Sequence, residues 1–402
     1  MEKTKPARLS ERGKNVPKSA IRKLIPLSKE TEKRGIKVHK LNIGQPDVET
    51  PDEYWQAVRN FKERTLAYAP SEGRPEFLAS LVEYYRRYGI VVTADDMVVI
   101  QGGIEGVFFA ILAVTDFGDE IIVAEPYYSN YIGCTAMAGV AFRSFTTTAE
   151  TGYHLPPRDV IEKLVTPRTR AILVATPGNP TGCVYTRDEM AMLADIAKSH
   201  GLFLLSDEVY REFAYDGGVP VSVMQLPGME QHGVIIDSVS KRYSACGARL
   251  GCLVSKNREF ISAARAYATI RLSAATLDQI GIAACIRTPG AYFERVRADY
   301  VERRDIVVDA MNRVPDTVCP VPGGAFYAMV KIKGVNTEDF AKWLLTDFSY
   351  EGETVMIAPG AGFYATPGLG RDEIRIAYVW KADIMRRAMD VLSRGIVEYR
   401  KT

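Results

Sequence analysis

The sequence lacks long apolar runs, an excess of either charge, and repeats, and these absences exclude several classes of protein. No stretch approaches the roughly 18 consecutive apolar residues that a membrane-spanning helix needs. The 51 basic and 49 acidic side chains leave a formal net charge of +2. That balance gives no reason to expect a nucleic-acid or a membrane partner. No repeat or low-complexity tract interrupts the chain.

Cysteine and histidine are also too few or too scattered to form a recognisable site. The six cysteines form no Cys-x-x-Cys pair and lie mostly in apolar surroundings, so we expect reduced thiols and a cytoplasmic protein. The four histidines lack the spacing of metal ligands, and no metal site is predicted. Residues 1–35 are basic and polar without an apolar core, so a secretory signal is not expected.

Strand and helix patterns alternate through the middle of the chain. Short apolar runs that predict buried strands lie at Met97–Ile100, Glu120–Ala124, Ala171–Ala175, Leu202–Leu205, 234–236 and 252–254. The alternation predicts an α/β fold with a mostly parallel sheet and helices on both faces. A charged helix over 291–311 is expected to connect this part to a second, smaller domain.

The stretch from Ser238 to Gly251 is the strongest functional signal. It joins two predicted core strands by a loop of hydroxyls, small residues and cations, with Lys241 between two serines and ahead of Arg249. A lysine near other cations in a partly dry site has a lowered pKa, as Schiff-base chemistry requires. Arg249, Ser238 and Ser240 could hold a phosphate through charge-assisted hydrogen bonds. The alternative is a loop lysine in an ordinary salt bridge.

The second signal is a carboxylate that directly follows an apolar strand. Asp207 comes after Leu202–Leu205 and Ser206, where burying an unpaired charge is costly. A protonated pyridine nitrogen would be a suitable partner, and so would a structural cation. Glu208 competes for the same role.

Other candidates also follow predicted strands. The Gly102-Gly103 pair opens a helix whose free backbone N–H groups could bind phosphate, Tyr128 could stack on a flat ring, and Asn179 could donate to an oxygen on that ring. Each could equally be a plain turn or a core residue. Because ligands bind beyond the carboxyl ends of strands in open parallel sheets, these candidates, Asp207 and Lys241 are expected to converge at one sheet edge.

Two residues outside this sheet, Gly44 and Arg375, each have two possible roles that the local sequence does not separate. Gly44, before a proline turn, could let the backbone approach a ligand or could simply form the turn. Arg375 alternates with apolar residues in a predicted strand, so its side chain either extends to solvent or binds a carboxylate through two parallel hydrogen bonds (a bidentate contact).

The motif Ser-x-Ser-Lys-x-x-x-x-x-Gly-x-Arg-x-Gly over 238–251 resembles the cofactor-lysine motif of the class I/II (fold type I) pyridoxal-phosphate-dependent aminotransferases. The resemblance extends over nearly the whole chain and is greatest to the bacterial-type aspartate aminotransferase subgroup. It implies a pyridoxal 5′-phosphate (PLP) transferase fold with a large domain at 50–290 and a smaller α+β domain formed by 1–49 and 291–402. It also implies a homodimer with shared active sites.

The resemblance further implies a role for each candidate. Its Asp-x-x-Tyr motif selects Asp207 and Tyr210 over Glu208, with Asp207 on the ring nitrogen and Lys241 as the catalytic amine. The remaining cofactor contacts would come from Gly103, Ile104, Tyr128, Asn179, Tyr210, Ser238, Ser240, Arg249 and, from the partner chain, Tyr68. The substrate carboxylate would be held by Arg375, Gly44 and Asn179.

The substrate is the least determined part of this prediction. We expect amino transfer between an L-amino acid, aspartate first, and a 2-oxo acid such as 2-oxoglutarate, by ping-pong kinetics. Arg271 is a candidate for binding a side-chain carboxylate, because one branch of the family takes such an arginine from the partner subunit, shortly before a serine-containing turn. The bacterial-type branch lacks that arginine and uses other groups. The alternatives are a carbon–sulfur lyase, an aminotransferase for aromatic or other amino acids, and a non-catalytic binding module on the same scaffold.

Overall fold

The computed structural model describes residues 7–17 and 19–402. Within these ranges it contains thirteen β-strands. They are β1 Lys37–Lys40, β2 Met97–Ile100, β3 Glu120–Glu125, β4 Ala141–Thr146, β5 Thr169–Ala175, β6 Phe203–Asp207, β7 Gly233–Ser238, β8 Gly251–Val254, β9 Thr317–Val318, β10 Tyr327–Ile332, β11 Glu353–Met356, β12 Ala358–Pro359 and β13 Glu373–Ala377.

The same ranges contain fourteen α-helices. They are α1 Glu11–Asn15, α2 Ile25–Lys33, α3 Asp52–Arg59, α4 Pro75–Arg87, α5 Gly103–Val114, α6 Tyr131–Ala138, α7 Arg158–Glu162, α8 Arg187–His200, α9 Val239–Arg242, α10 Arg258–Arg271, α11 Thr276–Ala284, α12 Gly290–Asn312, α13 Thr337–Thr346 and α14 Ala382–Tyr399. None of the helices in the described part of the chain is long and apolar enough to cross a membrane.

A seven-stranded sheet forms the centre of the larger part of the molecule. Its strand order is β2-β8-β7-β6-β5-β3-β4. All neighbours pair in parallel except β8, which runs antiparallel to both β2 and β7. Apolar side chains pack on both faces of the sheet in two separate clusters, so the central strands consist mainly of apolar residues, with polar residues near their ends.

The strongest local patterns predict the observed elements closely. The predicted strand Met97–Ile100 coincides with β2. The side chain of Thr186 caps α8 by accepting from the backbone of Glu189, and Gly201 ends the helix in a left-handed conformation. The predicted loop after Ser238 is wrong in part, because residues 239–242 form the short helix α9.

A second core lies outside the seven-stranded sheet. Strands β12, β13, β10 and β9 form an antiparallel sheet, and β1 pairs in parallel with β11. The helices α12 and α14 pack on each other beside them. This core buries Leu24 and Leu41 with residues drawn mainly from 296–396. The predicted domain limits at residues 50 and 290 stay a prediction.

The strand order places the functional candidates at one edge. Strands β5, β6 and β7 are adjacent and parallel, and their carboxyl ends lead to Asn179, Asp207 and Lys241 respectively. Strand β13 of the second sheet carries Arg375 at its centre, paired with Met329 of β10.

Candidate active site

Lys241 lies on the short helix α9, directly beyond the end of β7. The Ser238 side chain caps this helix by accepting from the backbone N–H of Ser240. The Lys241 Nζ donates to the Gly44 carbonyl oxygen at 2.8 Å and lies 3.7 Å from the Cys246 Sγ. The lysine amine therefore faces the backbone of the segment that precedes the Pro46 turn.

Hydroxyl groups and a guanidinium gather beside this lysine. The Ser238 hydroxyl donates to the Ser240 hydroxyl at 2.9 Å, and both side chains are buried. Arg249 has a left-handed backbone with φ of 52° and extends its guanidinium toward the start of α5. A Cβ on Gly102 would lie 2.5 Å from the Arg249 Nη2, and the φ of 81° at this position favours glycine. Gly103 and Ile104 open α5 next to it.

Asp207 is the last residue of β6, and its side chain is buried without a cationic partner among residues 7–17 and 19–402. The Tyr131 hydroxyl donates to its Oδ2 at 2.5 Å, and the Val209 backbone N–H donates to its Oδ1 at 3.3 Å. Burial raises the pKa of Asp207 to about 6, against the lowering effect of the Tyr131 hydrogen bond. A buried carboxylate that lacks a cationic protein partner favours the binding of a cationic ligand.

Arg375 is a buried guanidinium with only neutral partners in the described structure. Its Nη1 donates to the Asn179 Oδ1 at 2.9 Å, its Nη2 donates to the Asn42 carbonyl, and its Nε has no hydrogen-bond partner there. The Tyr327 and Phe363 rings lie 4.4 and 5.0 Å from its carbon Cζ. Burial lowers the pKa of Arg375. An anionic ligand would satisfy this charge.

Tyr327 links Tyr210 to Arg375, and its part in the site was not predicted from the sequence. Its hydroxyl is 2.9 Å from that of Tyr210, and its ring stacks against the Arg375 guanidinium. A Cβ on Gly44 would fall 1.8 Å from the same hydroxyl, so Gly44 allows the backbone to pass over Tyr327. Lys241, Gly44, Tyr327 and Arg375 thus form one continuous set of contacts.

Tyr128, Tyr68 and Arg271 are the other predicted site residues, and their surroundings do not test the predicted roles. The half-buried Tyr128 accepts from the Asn130 amide at 2.8 Å and meets the Tyr131 ring edge-on. Tyr68 is 80% exposed. The Arg271 Nη2 donates to the Val99 carbonyl at 2.9 Å. Its role in substrate binding and that of Tyr68 stay predictions.

Sequence analysis also missed a buried charge network behind the lysine. Asp237 accepts from the Tyr85 hydroxyl at 2.8 Å, pairs with Arg242, and has Arg211 Nη1 at 3.6 Å. Arg211 pairs in turn with Glu208, the competitor considered for the role of Asp207. The charged neighbours at 237 and 242 flank Lys241 in the sequence and were the available signal.

Comparisons with known proteins fit this geometry. Residues 36–392 match the family model for aminotransferase class I and II. An aspartate aminotransferase from Pyrococcus horikoshii is 28% identical over 394 residues, which cover 96% of this chain and 97% of that protein. The aromatic-amino-acid aminotransferase 2 of Thermococcus litoralis is also 28% identical, over 97% of this chain and 98% of that protein.

Solved structures of the same kind superimpose on the whole chain. The aspartate aminotransferase from Thermus thermophilus with maleate matches with a TM-score of 0.86 and 28% identity, over 97% of this chain and 100% of that one. An alanine aminotransferase from Pyrococcus furiosus matches with a TM-score of 0.87 and 30% identity over the same shares. The chain belongs to the class I and II aminotransferases. It is an enzyme of a family that uses PLP, and its fold is the PLP-dependent transferase fold of its relatives.

Proposed function

We propose that this protein binds PLP at the edge of the seven-stranded sheet and transfers an amino group from aspartate to 2-oxoglutarate. One observation carries the proposal: Asp207 and Arg375 are buried charges of opposite sign without an oppositely charged protein partner in the described residues. Asp207 ends the strand beside the one that leads to Lys241, and Arg375 connects to Lys241 through Tyr327 and Gly44. A ligand with a cationic ring nitrogen and a carboxylate would complete both.

The donor set beside Lys241 is suited to PLP. Asp207 would hold the ring nitrogen, and Asn179 and Tyr210 would hold the phenolic oxygen. Tyr128 would stack on the ring. The phosphate would be held by Ser238, Ser240, Arg249, the α5 residues Gly103 and Ile104, and Tyr68 of a second copy. When bound, PLP supplies an electron-accepting ring that stabilises negative charge at the substrate carbon.

The chain's own groups would then divide the remaining work. Arg375 and Asn179 would orient the α-carboxylate of the amino acid, with Gly44 beside it. The Lys241 amine would take the proton from Cα and later return one, as a general base and then an acid. The buried Tyr210 and Tyr327 would exclude water from that proton transfer.

The preference for aspartate draws on the relatives. Several relatives are named aspartate aminotransferases, and the Thermus thermophilus enzyme was solved with maleate, a dicarboxylate. The relatives named for aromatic amino acids and alanine make those substrates the competing candidates. A homodimer is part of the proposal, and the 80% exposure of Tyr68 agrees with a contact to a second copy. A cytoplasmic location completes it.

The test is the visible absorbance of the PLP-loaded protein before and after addition of L-aspartate without an acceptor. We expect conversion of the bound cofactor to its pyridoxamine form, reversed by 2-oxoglutarate. Lys241→Ala should bind PLP without this conversion. If alanine or phenylalanine converts the cofactor and aspartate does not, aspartate is not the substrate. In a parallel assay with a sulfur-containing amino acid such as cystathionine, release of pyruvate, ammonia and a thiol without an acceptor would instead indicate a carbon–sulfur lyase.

A further inference from the structure

Arg271, the predicted candidate for recognising a substrate side chain, contacts residues of its own chain in the structure. The Arg271 Nη2 donates to the Val99 carbonyl at 2.9 Å, and its Nε lies 3.6 Å from the Glu105 carboxylate. Both partners belong to the chain itself, but desolvation outweighs Glu105 and lowers the pKa of Arg271, and its Nε and Nη1 have no hydrogen-bond partner in the described residues. These contacts hold Arg271 against Val99 of β2 and Glu105 of α5, and none of them involves Arg375, so a cation from another element is a second candidate for the side chain of a dicarboxylate.

Residues 19–24, here called the crossing segment, run past the groups that hold Arg375. The Asn42 side-chain amide donates to the Ile21 carbonyl at 2.7 Å. The Asn42 carbonyl in turn accepts from the Arg375 guanidinium. Asn42 is fully buried, so this contact fixes the backbone of Ile21 one residue away from Arg375.

A second contact holds the crossing segment on another side. A Cβ on Gly362 would lie 2.1 Å from the Ala20 Cβ, so the segment packs directly on that glycine. The next residue, Phe363, has its ring 5.0 Å from the Arg375 guanidinium. The backbone of Ala20 and Ile21 thus rests on two immediate neighbours of Arg375, and Arg22 follows at once.

The Arg22 side chain carries an available positive charge. Arg22 is exposed and forms no ion pair within residues 7–17 and 19–402, whereas the adjacent Lys23 pairs with Glu338 at the edge of the molecule. Burial raises the pKa of Tyr128 to about 12, and the charges of Arg375 and Arg22 both oppose that rise. The same phenol is therefore within the electrostatic reach of both arginines.

We propose that Arg22 is a specificity-determining residue that binds the side-chain carboxylate of a dicarboxylic substrate while Arg375 binds its α-carboxylate. This inference rests on the proposed function and names its substrate class. Two cations that approach the same cleft from different elements match an amino acid with a carboxylate at each end. A substrate with one carboxylate would gain nothing from Arg22.

The experiment compares the PLP-loaded wild-type protein with Arg22→Gln. Binding of succinate and of propionate, which carry two and one carboxylates and no amine, is measured by calorimetry. We expect Arg22→Gln to weaken succinate binding by about 10- to 100-fold, the usual effect of losing a charge-assisted hydrogen bond, and to leave propionate binding unchanged. The first half-reaction with aspartate should slow by a similar factor relative to that with alanine.

Two matched variants separate this role from its alternatives. Lys23→Gln removes the neighbouring charge and its tie to Glu338, so it reports on the anchoring of the crossing segment and should leave succinate binding unchanged. Arg271→Gln tests the competing cation. Equal losses for succinate and propionate in Arg22→Gln, no loss, or a larger selective loss in Arg271→Gln would overturn the inference.

The failure of the proposed function gives a different result. If the wild-type protein converts no amino acid, the aminotransferase proposal fails whatever Arg22→Gln does to succinate binding. If it converts alanine or phenylalanine and binds succinate no better than propionate, amino transfer stands and the role of Arg22 is refuted.

Discussion

Two aspartates at the ends of neighbouring strands have opposite electrostatic surroundings. Asp207 ends β6, and Asp237 lies one residue before the end of β7; both side chains are buried. Burial raises the pKa of Asp207 to about 6. Burial also raises the pKa of Asp237, but Arg242 and Arg211 outweigh it and the net pKa is lowered. Burial alone therefore does not distinguish a structural carboxylate from a functional one; the supply of cationic partners does.

Arginines show the same contrast. Arg242 and Arg211 are buried, and their pKa values are raised well above the usual one because nearby anionic groups, Asp237 among them, outweigh desolvation. Arg375 is equally buried, and desolvation lowers its pKa because its partners are neutral. The chain completes one network by itself and leaves the other incomplete, as expected where a charged ligand binds.

The largest expected effect comes from breaking the completed network. Asp237→Asn leaves Arg242 and Arg211 with one buried anion fewer, and removal of one partner from a buried ion pair costs about 3–5 kcal/mol. Urea denaturation of the cofactor-free protein at pH 7.5 measures the loss. A loss below about 1 kcal/mol would mean that the network does not stabilise the fold.

At Asp207, substitution by asparagine is expected to raise the free energy of unfolding instead of lowering it. The folded protein holds its proton up to about pH 6 and the unfolded chain only up to about pH 3.9, so the stability of the cofactor-free protein falls as the pH rises between them. Asp207→Asn lacks this loss and should be more stable by about 2–3 kcal/mol above pH 7, with no difference at pH 3.5. It should also be inactive. Denaturation curves across this pH range test the sign; equal slopes for both proteins would contradict it.

Smaller losses of stability are expected when one hydrogen bond is removed from each of the two aspartates, Asp207 and Asp237. Tyr131→Phe removes a donor from Asp207, which keeps only a 3.3 Å contact from Val209, so we expect a loss of about 1.5–3 kcal/mol above pH 7. Tyr85→Phe removes a donor from Asp237, which keeps its arginines, and should cost only about 0.5–1.5 kcal/mol.

The pH dependence separates the two tyrosines further. Because the Tyr131 hydrogen bond lowers the pKa of Asp207, its loss should extend the fall in stability to higher pH without changing where the fall begins, while Tyr85→Phe should not change that window. Tyr127→Phe is a suitable control, since the Tyr127 hydroxyl forms no hydrogen bond within the described parts of the chain. Identical pH profiles for the variants at positions 131 and 85 would remove the distinction.

Local signals in the sequence were sufficient for much of the fold. The β2 limits and the capping of α8 follow from apolar runs and from side chains within three residues of each helix end. The short helix α9 was missed because four residues give no period, and its cap, Ser238, was interpreted as a phosphate ligand. Helix α14 and strand β4 also escaped the sequence analysis.

At the site, the sequence was sufficient to identify some residues but not the contacts between distant parts of the chain. Lys241 and Asp207 could be singled out because a charge follows an apolar strand directly. The partner that occupies Arg271 could not be predicted, because Val99 and Glu105 are far from it in the sequence. Tyr131 and Tyr327 resembled ordinary core aromatics, and only the fold brings their hydroxyls to Asp207 and Tyr210.

The pairing of β1 with β11 has a consequence for how the chain is made. Lys37 lies opposite Glu353, and Leu24 and Leu41 are buried among residues that come mainly from 296–396. During synthesis the seven strands of the large sheet are all available once residue 254 has left the ribosome, whereas the first strand waits for a partner made about 100 residues later. Because such distant pairing closes slowly, the crossing segment should be the last part of the cleft to acquire its native position.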